Sequence, residues 1–447
     1  MKSIGGVVFA TVLTMGATGH AQPARSQPPA QPSGQAETLT LARAIELALK
    51  QQPSVRQTAA SIEASRARVD QAKVAQRPTI GLSASASVGS TPPRPCDTDP
   101  TMTCGGFFDP STSTGLGAVI NWRIFDFGQT GANIRAAEAS AQAVASQVAT
   151  NTLDIQSRVS VTYLEAVARQ RLVGVSEATV KSELAHLDQA RKFVAAQAKD
   201  PIEVAQAQSR AANARSALAQ AQSNAAVALA NLRAAIGWLD PNVTFGIDTT
   251  WPIPPEQDPE ALGTLVSAAR KSRPELIQLD KQIVAAEASL TAAQAERRPV
   301  LNATASTQWG PDSSDWSPEP SWAAGLTLSW QLYDGGRSSA DVRLSRANLT
   351  AAIAERDALL VSLNSEVDSA RTQIIAHRAN VQASNEAVTA ARAQLKLADA
   401  RYVQGLGSQI ELADAQTAVT LAEGNLISAE WQLADAWAQL RRALGQR

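Results

Sequence analysis

Apolar and small polar residues alternate along four short stretches of the chain, with the two-residue period of a β-strand. In the first stretch, Ile80, Leu82 and Val88 fall on one face, while glycine and serine fall mostly on the other. The pattern predicts strands over about residues 79–88, 114–125, 300–309 and 322–332. These strands would form two hairpins, each with one apolar face and one small polar face.

Long stretches without proline follow each strand pair and predict helices. They cover about residues 129–198 and 336–404, or about 100 Å each at a rise of 1.5 Å per residue. Return helices are predicted over about residues 202–237 and 409–444. The turns between them contain Asp200 and Pro201 in the first half, and Gly405, Gly407 and Ser408 in the second. Each long helix and its return helix should form an antiparallel hairpin.

The same order of elements occurs twice because the chain contains an internal repeat. Trp122–Gly128 matches Trp330–Gly336, and Ala235–Gly237 matches Ala443–Gly445 at the same offset. Two shorter helices precede each strand pair, interrupted by proline. The sequence therefore predicts a first repeat over residues 39–238, a linker over 239–259 and a second repeat over 260–447.

The first residues have the pattern of an export signal. Lys2 precedes an uncharged stretch, and the small residues Gly19 and Ala21 follow it. We expect a signal peptide over residues 1–21 and a disordered leader, rich in Pro and Gln, over residues 22–38. A short membrane anchor is the alternative, although the apolar stretch is shorter than the ~20 residues of a spanning helix.

Export to an oxidising compartment changes the interpretation of the two cysteines. Cys96 and Cys104 lie close together in a loop rich in Pro, Gly and Asp. We expect them to form a disulfide that closes the loop. A metal-binding pair and two free thiols are the alternatives.

Tryptophan placement favours a membrane barrel over a soluble sandwich, whose strands alternate in the same way. Of the nine tryptophans, Trp122, Trp309, Trp322 and Trp330 lie in the hairpin stretches and are predicted to form an aromatic belt at the membrane surface. The small polar face would then line a wet interior. Four strands cannot close a barrel, since the smallest membrane barrels have about eight. Several chains therefore have to contribute strands.

Composition and charge exclude some classes of protein function. The chain is 44% hydrophobic but only 4% aromatic, which indicates closely packed small residues rather than one large core. Its net charge of -1 excludes a generally basic nucleic-acid binder, so we expect no nucleic-acid partner. The chain has only three histidines and two cysteines, so it has few side chains suited to metal binding or nucleophilic catalysis. We therefore predict no enzyme activity, no cofactor and no metal site.

Two stretches, Trp330–Arg337 and Arg401–Gln416, resemble the TolC family of outer-membrane efflux ducts, and the resemblance extends from Thr38 to the C-terminus. It implies a mainly α fold with a membrane β-barrel. Three identical chains would form a tunnel of twelve helices joined to a twelve-stranded barrel, with four strands from each protomer. The family's strand-to-helix exits correspond to Asp126, Gly128, Asp334, Gly335 and Gly336.

The resemblance also implies a location and partners. The homotrimer would lie in the outer membrane of a Gram-negative bacterium, in contact with outer-membrane lipid, and would extend into the periplasm. A periplasmic adaptor (membrane fusion protein) and an inner-membrane pump of the RND or ABC type would be its partners.

Two acidic residues follow the second tip turn. Glu411 and Asp414 are three residues apart and therefore share one face of the returning helix. Their positions match the family's acidic gate, which implies a periplasmic carboxylate ring to which Glu203 of the first repeat also belongs. The alternative is that these acids only stabilise the positive end of the helix dipole.

Tyr402 matches a family tyrosine that closes the gate by bonding an acid at the position of Glu203, so we predict this hydrogen bond. Gly407 departs from the family, because the best-known members carry an arginine there that makes a second closing link. We expect the duct either to close less tightly or to use Lys199 or Arg401 instead.

The sequence thus predicts a passive exit duct of a tripartite efflux or type I secretion system. An adaptor would open its periplasmic tip, and a pump would supply the energy. A periplasmic coiled-coil adaptor is the alternative, because it also has long antiparallel helices, but the duplicated strand hairpins argue against it. The sequence does not predict the cargo.

Overall fold

The computed structural model describes residues 38–90, 94–95, 103–104, 110–240, 245–251, 258–312 and 315–446. Its helices are α1 (Leu41–Gln51), α2 (Pro53–Val74), α3 (Gln129–Ala195), α4 (Ile202–Ile236), α5 (Leu262–Ser272), α6 (Pro274–Ala295), α7 (Arg337–Val403) and α8 (Gln409–Ala443). Its strands are β1 (Thr38–Leu39), β2 (Thr79–Ser90), β3 (Arg94–Pro95), β4 (Thr103–Cys104), β5 (Pro110–Phe125), β6 (Gly246–Ile247), β7 (Val300–Asp312) and β8 (Asp315–Ser329). The predicted signal peptide, most of the predicted leader and Cys96 lie outside the described residues.

The repeat in the sequence is matched by helices of equal length in the two halves. Helices α1 and α5 have 11 residues, α2 and α6 have 22, α3 and α7 have 67, and α4 and α8 have 35. Pro53 and Pro274 each occupy the first position of a helix, where the missing N–H costs nothing. The long helices end a residue or more earlier than expected, because the chain already turns at Ala196 and Gln404.

The helices pack as two long hairpins joined side by side. Helix α3 packs against α4 and α7 packs against α8, while α3 also contacts α2, α6 and α8. Alanine is the commonest buried residue of both α4 and α8, and small side chains let neighbouring backbones approach closely. Within the part of the chain that the structure describes, no helix is both long and apolar enough to cross a membrane.

A four-stranded antiparallel sheet, ordered β2-β5-β7-β8, joins the two repeats. Its apolar face is exposed in the single chain; Leu82, for example, is 85% exposed. The ladder between β7 and β8 ends at the pair Val300 and Ser329, because β7 begins only after Pro299. The strand expected over about residues 322–332 is wrong at both ends, because β8 starts at Asp315 and stops at Ser329, before Trp330.

The strand-to-helix exits are built alike in the two repeats. Gly128 and Gly336 precede the long helices with φ of 91° and 92°, a left-handed conformation that favours glycine. Asp126 accepts hydrogen bonds from the backbone N–H groups of Gly128 and Thr130, at 3.2 and 2.7 Å. Asp334 accepts from Gly336 in the same way, at 2.9 Å. An aspartate is needed at each exit because its side chain caps the first turn of the helix.

Two of the expected belt tryptophans make hydrogen bonds at the base of the sheet. The indole N–H of Trp122 donates to the carbonyl oxygen of Gln76, and that of Trp330 donates to Arg297, both at 3.1 Å. Both acceptors lie in the turns between a short helix and a strand. These tryptophans therefore join the sheet to the helices, whereas Trp322 is 82% exposed.

The segments expected to be a leader and a linker contain an additional pair of strands. Strand β1 pairs in parallel with β6, and Trp238, Phe245 and Ile247 pack against the buried core around Tyr163. Thr38 and residues 246–247 are thus ordered parts of the fold. The Tyr163 hydroxyl lies 3.0 Å from the carbonyl oxygen of Leu39, and burial raises the pKa of Tyr163 to about 12.

The cysteine loop is described only in part. Strand β4 contains Cys104, which pairs with Arg94 of β3 in an antiparallel ladder. Because Cys96 lies outside the described residues, the disulfide stays a prediction.

Candidate functional site

The candidate site is the tip where both long hairpins turn. In the first repeat, Pro201 precedes α4, and Asp200 accepts a hydrogen bond from the N–H of Ile202 at 3.0 Å. In the second, Gly405 has φ of 74°, and Ser408 caps α8 by accepting from the N–H of Glu411 at 3.2 Å. Proline, glycine and a serine cap therefore fix where each helix stops and restarts.

Tyr402 and Glu203 connect the two turns. The hydroxyl of Tyr402, at the end of α7, donates to Oε2 of Glu203, in the first turn of α4, at 3.0 Å. Tyr402 is only 1% exposed, and its ring packs edge-on against Phe193 with ring centres 5.7 Å apart. The hydrogen bond that we expected from the sequence is present, and it joins residues of different repeats.

Lys199 makes two contacts at the same position. Its ammonium lies 3.5 Å from Oε1 of Glu203, so the two carboxylate oxygens have different partners. The same ammonium lies 5.4 Å from the centre of the Tyr402 ring, within the range of a cation–π interaction. The Lys199 and Glu203 side chains are only 22% and 16% exposed, so solvent screens the pair less than it would a surface pair.

Gln409 adds a link that the sequence analysis missed. Its side-chain N–H donates to the backbone carbonyl of Glu203 at 3.0 Å, and the residue is 4% exposed. Gln409 stands between the serine cap and Glu411, where the sequence pattern indicates only the start of a helix. No local signal in the sequence identifies its partner, because Glu203 lies 206 residues away.

The acidic residues of α8 have different environments. Glu411 pairs with Arg401 across the turn, at 3.3 Å from Nε to Oε1, and both side chains are exposed. Asp414 is also exposed and makes no salt bridge within the described ranges. Glu411 lies in the first turn of α8, so both the helix dipole and Arg401 stabilise its charge. Glu203 contacts Tyr402 and Lys199 and is less exposed than these two acids.

Gly407 has a steric reason to be glycine. A Cβ atom at this position would lie 3.1 Å from the backbone nitrogen of Tyr402 and 3.2 Å from Cβ of Arg401. The turn is therefore too close to the end of α7 to accept a larger residue without moving.

Burial and hydrogen bonding also change the acidity of Tyr402. Burial, and then the hydrogen bond to the Glu203 carboxylate, raise the pKa of Tyr402 to about 12 from its ordinary value of 10.0. The tyrosine is therefore a neutral hydrogen-bond donor over the whole physiological range.

The family profile described as "Outer membrane efflux protein" matches residues 44–238 and 265–446. Among related proteins, Outer membrane protein OprJ of Pseudomonas aeruginosa is 28% identical over 429 residues, covering 91% of this chain and 84% of its own. Protein CyaE of Bordetella pertussis is 29% identical over 416 residues, covering 89% of this chain and 82% of its own. The crystal structure of the Campylobacter jejuni CmeC outer membrane channel aligns with a TM-score of 0.78 at 16% identity, covering 91% of this chain and 85% of that one.

The duplicated long hairpins and their four-stranded sheet define a TolC-like channel protein, mainly helical in its described residues. The chain belongs to the outer membrane efflux protein family. The resemblance inferred from the sequence is thereby confirmed, as are the outer-membrane location and the role of exit duct. The adaptor alternative is not supported.

Proposed function

We propose that three copies of this chain form one passive duct, a twelve-stranded barrel continuous with a twelve-helix tunnel. The observation that carries this proposal is the open sheet: within the described residues, β2 and β8 are edge strands with one neighbour each. Unpaired strand edges are not tolerated in a lipid environment. Pairing β8 of one protomer with β2 of the next would remove every edge and close the sheet around a lumen.

Exposed apolar side chains on α7 support the same assembly. Ile353, Val361 and Leu397 are 43%, 69% and 67% exposed in the single chain, although the helix also carries a buried side. Helix α4 packs mainly on α3 and leaves its other side open. A neighbouring protomer would cover both surfaces, which is favourable in proportion to the apolar area that is removed from water.

The tip would act as the gate of this duct. Tyr402, Lys199 and Gln409 all contact Glu203. The contacts of Tyr402 and Gln409 join the α7/α8 hairpin to the α3/α4 hairpin, as does the Lys199 ammonium over the Tyr402 ring. We therefore assign the closing link to this group. The exposed carboxylates of Glu411 and Asp414 would form rings of like charge around the threefold axis, and such rings attract cations.

The partners of the duct would be an adaptor and an inner-membrane pump of the RND or ABC type. A passive duct performs no catalysis and has no energy source of its own, so the pump would supply the energy. Ile202, Leu406 and Ile410 are exposed apolar residues at the tip, at 59%, 72% and 63%. Their position next to the gate suits contact with a periplasmic adaptor, which would gain apolar contact area while it separates the hairpins.

Two measurements on purified full-length protein test the duct. Light scattering in detergent should give the mass of three chains, and planar bilayers should show discrete channels of low conductance. A monomer, or a trimer without channel activity, would contradict the proposal.

A further inference from the structure

A cavity of about 520 Å³ with polar and apolar walls lies where the sheet meets the end of α2. Its polar wall comes from Arg77, Asn121, Arg123, Asn302, Thr304 and Thr327. Asn121 pairs with Thr304, and Arg123 pairs with Asn302, across the ladder between β5 and β7. Strands β5 and β7 are the two inner strands of the sheet, so a single chain forms this part of the cavity wall.

The cavity carries positive charge. Two guanidinium groups line it, and no carboxylate is among its described lining residues. The Arg77 side chain makes no salt bridge within the described part of the chain. Arg123 lies 3.9 Å from Asp126, whose oxygens already accept hydrogen bonds from Gly128 and Thr130. Both arginines therefore retain donors for another group.

Arg77 also lines a second cavity of about 300 Å³ on the side of α2 and α3. The other cation there, Lys73, is 3.3 Å from Glu138 and so already has an acidic partner. Arg77 therefore faces solvent-filled space on two sides, and no carboxylate is among the described lining residues of either cavity.

The second repeat does not reproduce this charge. By the alignment of the two repeats, Arg77 corresponds to Arg298, while Arg123 corresponds to Gln331. Arg298 is not among the lining residues of the cavity. The pair of arginines is thus a property of the first repeat alone, and the duplicated fold does not require it.

We propose that this cavity binds an oxyanion, the carboxylate or phosphate group of a soluble molecule or of a lipid headgroup. The planar guanidinium of arginine donates two parallel hydrogen bonds to such a group. The amides of Asn121 and Asn302 and the hydroxyls of Thr304 and Thr327 supply neutral donors around it. The volume is in the range of sites for small organic molecules, so the anionic group can carry further atoms.

Calorimetry on the full-length protein in non-ionic detergent tests the site, with inorganic phosphate as the soluble probe and dihexanoyl phosphatidylglycerol as the lipid probe. We expect the double substitution Arg77→Gln with Arg123→Gln to weaken binding by about tenfold or more, because two charge-assisted hydrogen-bonding groups are lost. Arg298→Gln is the matched control and should bind like the wild type. Binding of phosphate assigns a soluble ligand, and binding of the lipid alone assigns a headgroup.

Arginine modification by phenylglyoxal tests the wild type without any substitution. Either probe should slow the modification of Arg77 and Arg123, read by peptide mass spectrometry, and should leave Arg298 unchanged. Equal modification of Arg77 and Arg123 with and without both probes overturns the proposal, as does equal binding by the wild type and the folded double variant.

Discussion

The hydroxyl of Tyr402 donates a hydrogen bond to the carboxylate of Glu203 at 3.0 Å, although the two residues are 199 positions apart in the chain. Tyr402 lies in the last turn of α7 and Glu203 in the first turn of α4, so this single bond joins the tips of the two repeats. Lys199 and Gln409 also contact Glu203, through its carboxylate and its backbone carbonyl respectively. The tip is therefore held by a small group of buried polar contacts, whose loss can be tested one residue at a time.

The substitution Tyr402→Phe should open the tip. It removes a hydrogen bond to a charged group, typically worth about 1.5–3 kcal/mol, while it keeps the ring that packs on Phe193. We expect a higher mean conductance in planar bilayers. Tyr333→Phe, which changes an 87% exposed tyrosine after β8, should conduct like the wild type. Equal conductance of all three proteins would show that this bond does not hold the tip closed.

Lys199→Gln should loosen the tip to a smaller degree, because the Lys199 ammonium is 3.5 Å from Glu203 and keeps some contact with solvent. The increase in conductance should shrink at high salt, since ions screen the same interaction in the wild type. Lys192→Gln is the control, because Lys192 lies in α3 shortly before the turn and pairs with Asp188 at the surface. A response of Lys192→Gln as large as that of Lys199→Gln would point to general surface charge instead.

Gly407→Ala should destabilise the second tip turn. The added Cβ would meet the backbone of Tyr402 at 3.1 Å, and overpacking of this kind costs about 1–3 kcal/mol. We expect a lower unfolding temperature in circular dichroism and less stable channel closure. Gly174→Ala in α3 is the control, because nothing lies within 4 Å of its added Cβ and alanine favours the helix. An unchanged unfolding temperature for Gly407→Ala would mean that the turn moves freely.

Neutralising the exposed acids, Glu411→Gln together with Asp414→Asn, should reduce cation selectivity. Like charges held close together favour bound cations, so reversal potentials in a salt gradient should move toward zero and block by divalent cations should weaken. Glu63→Gln removes an exposed acid of α2, far along the chain from the tip, and serves as the control. Selectivity that survives the double substitution would remove these two residues from the gate.

Alkaline pH should weaken the core and the tip together. The pKa values of Tyr163 and Tyr402 are both raised to about 12 from 10.0. Because each raised pKa favours the folded, protonated form, the associated stability is present below pH ~10 and is lost as the pH rises toward ~12. Ultraviolet titration of the phenolate should show two late-ionising tyrosines, and Tyr402→Phe should leave one. Ionisation of both near the ordinary pKa would contradict this.

The sequence alone determined the helices, the four strands of the main sheet and their duplication. Two-residue alternation predicted the strands, and the absence of proline predicted the long helices, because both depend on neighbours in the chain. The positions of the turns followed from Pro201 and Gly405 for the same reason. The Tyr402 and Glu203 pair was reached only through resemblance to a family.

Only the tertiary structure decided which distant groups meet. The pairing of β1 with β6, the hydrogen bond from Gln409 to Glu203 and the cavity between Arg77 and Arg123 each join segments that have no local reason to be adjacent. The close approach of Gly407 to Tyr402 also depends on how the turn closes. A periodic pattern fixes which face of an element is apolar, whereas the packing of α3, α4, α7 and α8 fixes the partners.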